Sequence, residues 1–204
     1  MPWRFRPLGS LYYRPMNDTD VLHAFRESGA LLDGHFRLSS GLHSSGYLQC
    51  ALVLQHPERA AALGAGIAEA TRAWGATVVL SPAMGGIVIG QEVGRALGVR
   101  AIFAERTDGT LSLRRGFSVS PADLVLIVED VLTTGTSTRE TIAVAVAAGA
   151  RVVGAASIMD RSGGQHGLAV PFAGLCPMVL PTYAPDSCPL CASGLPVTKP
   201  GSRA

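Results

Sequence analysis

Apolar runs alternate with helical patterns along most of the chain. Continuous apolar runs predict buried strands at ATVVLSP, VRAIFAE, DLVLIVED, RVVGAASIMD and VPFAGLCPMVL. Residues 84–97 and 136–148 predict helices, which end at Gly98 and Gly149. Apolar strands that alternate with helices are typical of a parallel sheet covered on both faces. We therefore expect an α/β fold with a Rossmann-like parallel sheet core.

A different pattern precedes this core. Residues 20–29 show apolar positions at helical spacing, closed by a glycine. The segment GHFRLSSGLHSSGYLQC, residues 34–50, predicts two short strands around a Ser/Gly turn. A helix is expected over residues 57–73, because proline suits the first helical position. These elements predict a small N-terminal subdomain of one helix and one hairpin.

The chain of 204 residues is expected to form one domain. We divide it into an N-terminal subdomain, which we call the hood (about residues 16–55), a core (about 56–185) and a C-terminal tail (about 186–204). Residues 1–15 are rich in proline and arginine and have no period, so we expect a disordered extension there.

A polar hairpin interrupts the core pattern. RTDGTLSLRR, residues 106–115, lies between two predicted core strands, and Asp108-Gly109 is a strong two-residue turn signal. The parallel core does not require such a hairpin. We therefore expect a mobile flap.

Composition excludes several classes of function. Hydrophobic residues make up 48% of the chain and charged residues 16%, which is enough apolar material for a layered core. No uninterrupted apolar run reaches about 18 residues, so no membrane span is predicted. A net charge of +2 argues against a nucleic-acid or membrane-surface protein. Lys199 is the only lysine among 17 basic residues; arginine suits bidentate anion binding, but coding bias explains most of these positions.

The cysteines leave more than one interpretation open. The cysteine pair in CPLC has three interpretations: half of a zinc site, a redox pair or two ordinary reduced thiols. We favour the reduced thiols. A zinc site would need further ligands from isolated cysteines or from histidines. His35 and His43 flank the hood turn; we expect surface histidines there, with a metal or acid/base role as the alternative. We thus predict no metal ligand and a reduced, cytoplasmic protein. The four cysteines are Cys50, Cys176, Cys188 and Cys191.

The segment IVEDVLTTGTSTRE, residues 127–140, carries the clearest chemistry. An apolar run ends in Glu129 and Asp130, and small hydroxyl residues follow around Gly135. Loop amides and a helix N-terminus suit a phosphate, whereas carboxylates suit a vicinal diol. An ordinary strand-to-helix turn with one cap explains one or two hydroxyl residues, but not four beside two carboxylates. The segment predicts a site for a ribose 5-phosphate. Nearby negative charge would also assist a reaction at C1 of the ribose.

The same residues resemble a known family. The segment resembles the phosphoribosyl-pyrophosphate (PRPP) signature of the type I phosphoribosyltransferases, in which two acidic residues, two apolar residues and TTGTS follow a strand. FRLSSGLHSSGYLQ resembles the hood of the orotate phosphoribosyltransferases, LSPAMGGI their pyrophosphate loop, and MDRSGG the Asp-Arg after the next strand. The resemblance extends from about Met16 to the Cys188 region.

This resemblance implies a glycosyltransferase of de novo pyrimidine biosynthesis. The enzyme would transfer 5-phosphoribosyl from PRPP to orotate and release orotidine 5'-phosphate and pyrophosphate. Mg²⁺ would arrive on PRPP or pyrophosphate with few or no protein ligands. A homodimer is implied, in which the flap reaches the neighbouring active site, and neither nucleic acid nor membrane is an expected partner.

The resemblance also implies the site residues. Asp130, Glu129 and Arg106 would be catalytic, and Thr133 and Arg161 would bind orotate. The implied PRPP-binding residues are Glu129, Asp130, Val131, Leu132, Thr133, Thr134, Gly135, Thr136, Ser137, Ala83, Met84, Gly85 and Arg106.

The chain departs from the family pattern in its cations. The family flap carries lysines and a histidine, whereas this flap has neither, and Arg114 and Arg115 are the alternative cations. Met84 and Gly85 stand where an aromatic residue and a lysine are usual, and Ser39 where some members have lysine. Each lost charge-assisted partner costs about 1.5–3 kcal/mol. Either arginines supply this charge, or part of it is missing and turnover is slower.

Two rival functions use the same fold. One is a phosphoribosyltransferase for another base, and the other is a non-catalytic PRPP-binding regulator. The hood favours orotate over other bases. The small net charge and single-domain length argue against a nucleic-acid-binding regulator.

Overall fold

The computed structural model describes residues 16–38 and 40–199. The predicted extension at residues 1–15 and the departure at Ser39 lie outside the described residues. Within the described part of the chain, no helix has both the length and the apolar character needed to cross a membrane.

Six α-helices are assigned in the described residues. Their bounds are α1 Asp18–Glu27, α2 Cys50–Leu54, α3 Pro57–Thr71, α4 Gly86–Leu97, α5 Thr136–Ala147 and α6 Pro189–Ala192. A capping box begins α1, because the side chains and backbone amides of Asn17 and Asp20 are hydrogen-bonded reciprocally. Gly98, in the left-handed region at φ 75°, ends α4 as predicted.

The strands form two sheets. They are β1 Leu31–Arg37, β2 His43–Leu48, β3 Val78–Pro82, β4 Arg100–Thr107, β5 Thr110–Leu113, β6 Leu124–Leu132, β7 Arg151–Asp160, β8 Phe172–Pro177 and β9 Thr182–Tyr183. The core sheet has the order β5-β4-β3-β6-β7-β8, and all its pairs are parallel except β4 with β5. This confirms the predicted α/β class with a parallel core.

Helices cover both faces of the core sheet. Along β6, Leu126 and Val128 belong to one buried cluster, whereas Val125 and Ile127 belong to the other. The first cluster includes residues of α3 and α4, and the second includes residues of α5. Burying one such side chain contributes about 1.5–3 kcal/mol. Apolar residues on both sides explain why the strand is a continuous apolar run and not an alternating one.

The hood sheet is built from both ends of the described chain. Its order is β1-β2-β9, so a strand close to the C-terminus completes it. Ser44 pairs with Thr182, and its hydroxyl donates to the carbonyl of Pro181 at 2.9 Å. The sequence pattern predicted β1 and β2 but not β9, because a two-residue strand has no detectable period.

The segment predicted to be a flap forms an edge hairpin of the core sheet. Asp108 and Gly109 form its turn with φ of 49° and 82°, as the turn signal predicted. However, β5 pairs with β4 along its length, and the side chain of Leu111 is buried in the second cluster. The hairpin is therefore packed against the core through Leu111, and its mobility stays a prediction.

Candidate functional site

The candidate site lies where the order of the core sheet reverses. The chain passes from β3 to β4 on one side and from β6 to β7 on the other, while β3 and β6 are neighbours. Ligands of open α/β sheets bind in such a crevice, at the carboxyl ends of the strands. The loops after β3 and β6 meet there: a Cβ added to Gly85 would lie 2.6 Å from Oδ2 of Asp130. A side chain at position 85 would therefore displace the carboxylate of Asp130 from its present place.

The loop between β6 and α5 forms an open cradle of backbone amides. Gly135 adopts φ 74°, and a Cβ there would lie 2.8 Å from the carbonyl oxygen of His166. Among the described residues, no side chain caps the start of α5. The first amides of a helix have no intrahelical partner, so they are available to an anion.

Arg139 braces this cradle, although no motif in the chain singled it out. Its guanidinium donates to the carbonyl of Thr134 at 2.9 Å and to that of His166 at 2.6 Å. It also donates to the hydroxyl of Thr136 at 3.2 Å. Because both ends of the loop are bound to one side chain, the cradle is held in shape before a ligand arrives.

Glu129 is fixed by the helix that follows it. Its side chain is 8% exposed, and its two oxygens accept hydrogen bonds from the hydroxyls of Ser137 and Thr138. Burial raises the pKa of Glu129, although the two hydroxyl donors lower it. Ser137 was predicted to offer its hydroxyl to the phosphate. In the structure that hydroxyl donates to Glu129, so the backbone amide is the donor of Ser137 that remains for the cradle.

Asp130 is the more available carboxylate. Its Oδ1 accepts the backbone N–H of Val131 at 2.9 Å, and its Oδ2 lies beside Gly85. Burial raises the pKa of Asp130 above its ordinary value. This carboxylate therefore faces the crevice between the two loops, where a diol could donate to it.

The strand β6 continues two residues beyond the predicted end. Val131 and Leu132 pair with Met159 and Asp160 of β7, so both belong to the sheet and not to the loop. Leu132 is only 1% exposed, and its carbonyl accepts the N–H of Arg161 at 2.8 Å. The side chain of Leu132 is thus part of the core, and its predicted role in PRPP binding stays a prediction.

A cavity of about 920 Å³ opens beside the cradle. Both predicted orotate-binding residues, Thr133 and Arg161, line it. The hood contributes Arg37 and Tyr47, and the tail contributes Lys199, none of which was predicted to line the site. Tyr47 lines this cavity because β2 forms one of its walls.

Arg161 carries an unsatisfied donor next to this cavity. Its Nε is buried and has no hydrogen-bond partner among the described residues. Burial lowers the pKa of its guanidinium. A buried donor without a partner is uncommon and is expected to have a ligand or an ordered water. The guanidinium fork suits a planar carboxylate.

The cations of the hairpin are already paired with protein groups. Arg106 donates to the carboxylate of Glu140 in α5 and to the carbonyl of Gly109. Arg115 binds Glu105 through two hydrogen bonds of 2.8 and 2.7 Å, which lower the pKa of that carboxyl. Arg114 donates to the hydroxyl of Thr107 at 2.9 Å.

The predicted pyrophosphate loop leaves β3 at the same edge of the sheet. The amide of Ala83 donates to the carbonyl of Ala104 at 2.8 Å, and the Ala83–Met84 peptide is cis. The side chain of Met84 is 82% exposed, so it does not belong to the core. The loop presents its backbone to the crevice beside Asp130.

Comparisons with known proteins agree with this geometry. The orotate phosphoribosyltransferase of Chlorobaculum parvum is 54% identical over 92% of this chain and 97% of its own. The crystal structure of the Aeropyrum pernix orotate phosphoribosyltransferase has a TM-score of 0.66 at 24% identity, covering 78% of this chain and 93% of its own. That of the Mycobacterium tuberculosis orotate phosphoribosyltransferase in complex with PRPP has a TM-score of 0.62 at 23% identity, covering 77% and 94%. No protein-family model matches the chain.

Proposed function

The chain belongs to the orotate phosphoribosyltransferase family, and from that premise we propose that it transfers 5-phosphoribosyl from PRPP to N1 of orotate. The products are orotidine 5'-phosphate and pyrophosphate, in de novo pyrimidine biosynthesis. The observation that carries the proposal is the partnerless buried Nε of Arg161 beside a cavity that joins the phosphate cradle.

The two carboxylates of the site are proposed to have different roles. The 5-phosphate binds the amides at the start of α5, and the ribose hydroxyls donate to Asp130. Glu129 holds the start of α5 through Ser137 and Thr138 and thereby orients the cradle. Positioning and negative charge near C1 then stabilise the oxocarbenium-like transition state.

Orotate is proposed to occupy the large cavity. Its carboxylate or another polar edge would pair with the guanidinium of Arg161, and Thr133 would contact the base. Tyr47 and Leu48 line the hood side and would exclude water from the base. Pyrophosphate would lie between residues 83–85 and Arg106.

The donor set fits a magnesium ion that arrives with its substrate. Both oxygens of Glu129 already accept hydroxyls, and Asp130 is the carboxylate left to contact a ribose or a bound water. Mg²⁺ prefers oxygen ligands and retains several waters, so PRPP oxygens would supply most of its coordination. When bound, the ion would neutralise charge on the pyrophosphate leaving group.

A homodimer is part of the proposal. An apolar surface beside the hairpin supports it: Ile87, Val88, Phe103 and Phe117 line a shallow cavity of about 330 Å³. Sedimentation at micromolar concentration should give a dimer, and a monomer would contradict this part. The cytoplasmic location stays a prediction.

The decisive experiment mixes the full chain with PRPP, Mg²⁺ and one base at a time. Loss of orotate absorbance, with orotidine 5'-phosphate identified by chromatography, is the expected result. Turnover of adenine, hypoxanthine or uracil in place of orotate would overturn the substrate. PRPP binding without turnover of any base would instead support a regulator.

A further inference from the structure

Four side chains that metals commonly bind meet between the hood and the tail. His35 lies in β1, His43 begins β2, and Cys188 and Cys191 lie at the start of α6 and within it. One ligand atom from each lies within 4.8 Å of every other. We propose that these four residues, which we call the knuckle, bind one structural Zn²⁺ ion that joins the tail to the hood.

The burial of the knuckle contradicts the expectation of surface histidines. His35 is 3% exposed and His43 is 6% exposed, while Cys188 is 3% exposed. Cys191 closes the knuckle from the solvent side. Two imidazoles and a thiol turned inward at one point indicate a shared interaction and not independent surface positions.

Three of the distances within the knuckle fall in the range of a tetrahedral site. Zn–S bonds of about 2.3 Å and Zn–N bonds of about 2.0–2.1 Å place tetrahedral ligand atoms about 3.3–3.8 Å apart. Nε2 of His35 lies 3.6 Å from Sγ of Cys188 and 3.8 Å from Sγ of Cys191. Nδ1 of His43 lies 3.3 Å from Sγ of Cys191. The two ring nitrogens, at 2.8 Å, would separate by about 0.5 Å to admit the ion.

The surroundings fix the tautomer that a metal needs. Nδ1 of His35 lies 2.7 Å from the carbonyl oxygen of Leu195, so this nitrogen donates its hydrogen there. The lone pair of Nε2 is therefore directed into the knuckle. A ligating histidine almost always donates its other N–H in this way, to a carbonyl or a carboxylate.

Local structure also directs the ligands inward. The pairing of β1 with β2 shifts between Asp33 and Phe36, and His35 lies inside this bulge. Bulges re-aim a side chain, here toward His43. Cys188 and Cys191 are separated by two residues, the spacing of one half of many structural zinc sites. A set of two thiolates and two imidazoles in tetrahedral geometry favours zinc over magnesium or calcium.

The knuckle fastens the segment that ends at the active-site cavity. The amide of Thr198 donates to the carbonyl of His35, and the amide of Arg37 donates to the carbonyl of Thr198, both at 2.8 Å. The next residue, Lys199, lines the large cavity together with Arg161. Zinc would thus hold the last described part of the tail against the hood without contacting the substrates.

The first test is the metal content of the full chain, purified under reducing conditions without added metal or a polyhistidine tag. Elemental analysis should find about one zinc per chain, as one closed site requires. The double variant Cys188→Ser/Cys191→Ser should lose it. The control Cys176→Ala removes another buried thiol and should keep its zinc. Equal zinc in the double variant and the wild type would overturn the proposal.

A second test needs no variant and therefore does not depend on whether one folds. The reduced, chelator-treated wild-type protein is titrated with Co²⁺ and followed by absorption spectroscopy. Thiolate-to-cobalt charge-transfer and tetrahedral d–d bands should saturate at about one Co²⁺ per chain and vanish on addition of Zn²⁺. Absence of these bands, or a Cys188–Cys191 disulfide in the protein as isolated, would overturn the proposal. Neither readout depends on transferase activity.

Discussion

The carboxylates near the end of β6 and the arginines of the hairpin β4–β5 carry opposite charges, and the two groups are held differently. Glu129 is buried and bound by two hydroxyls, and Arg139 braces the loop that follows. By contrast, Arg106 and Arg115 of the hairpin are exposed and paired with protein carboxylates. A braced, buried group is organised before substrate binds, whereas an exposed ion pair is worth about 0–1 kcal/mol and exchanges easily. We infer that the site has a fixed anionic half in β6 and a recruited cationic half in the hairpin.

The largest effect should come from the fixed half. Asp130→Asn should lower turnover by about 100-fold or more, since it removes the charge near C1 and weakens the contact to the ribose hydroxyls. Steady-state kinetics with PRPP and orotate would measure this. Asn can still accept the N–H of Val131, so the fold should survive.

The same variant has a definite effect on stability. Burial raises the pKa of Asp130 in the folded protein, so the folded state favours the protonated carboxyl. As the pH rises from the ordinary carboxyl pKa through this higher pKa, ionisation of Asp130 lowers the stability of the protein. At neutral pH the Asn variant should therefore melt at the same or a higher temperature, and this advantage should disappear at acidic pH. The exposed Asp33→Asn is the control and should change neither quantity. A less stable Asn variant would mean that Asp130 is structural.

The second effect concerns the base. Arg161→Ala should raise the KM for orotate about 10- to 100-fold, because a charge-assisted contact of about 1.5–3 kcal/mol is lost. The KM for PRPP should change far less. Initial rates with each substrate varied in turn separate the two. Arg151→Ala, at the other end of β7, is the matched control; equal changes in both KM values would place Arg161 outside the base site.

A smaller effect is expected from the recruited half. Arg106→Ala should raise the KM for PRPP about fivefold, as one exposed contact is worth about 1 kcal/mol. Pyrophosphate-dependent rates in the reverse reaction measure it. If Arg106→Ala has no effect but Arg114→Ala or Arg115→Ala does, the working cation is one of those two. If none of the three matters, the hairpin does not supply the cation.

The smallest effect should come from freeing a cation. Glu140→Gln releases Arg106 from its ion pair and should lower the KM for PRPP by less than about fivefold. Glu58→Gln, in the first turn of α3, serves as the control. A rise in KM would show that Glu140 positions Arg106 instead of competing for it.

Local patterns predicted the core and the cradle because both are encoded in contiguous residues. The run at residues 124–128 indicated burial on both faces, and Gly135 indicated the turn. The sequence could not show that Ser137 would bind Glu129 or that Leu111 would anchor the hairpin, since a pattern indicates burial but not the partner. The knuckle was missed for the same reason: 153 residues separate His35 from Cys188.

The hood joins residues near the beginning of the chain to residues near its end, and this constrains the order of biosynthesis. When β1 and β2 leave the ribosome, neither β9 nor the segment at Thr198 has been synthesised. The core sheet is synthesised between these two parts of the hood. The wall of the cavity that carries Lys199 can close only after nearly the whole chain has emerged. We therefore expect a nascent chain to form its core before this cavity is complete. PRPP should then not bind a partly synthesised chain in the same way as the full chain.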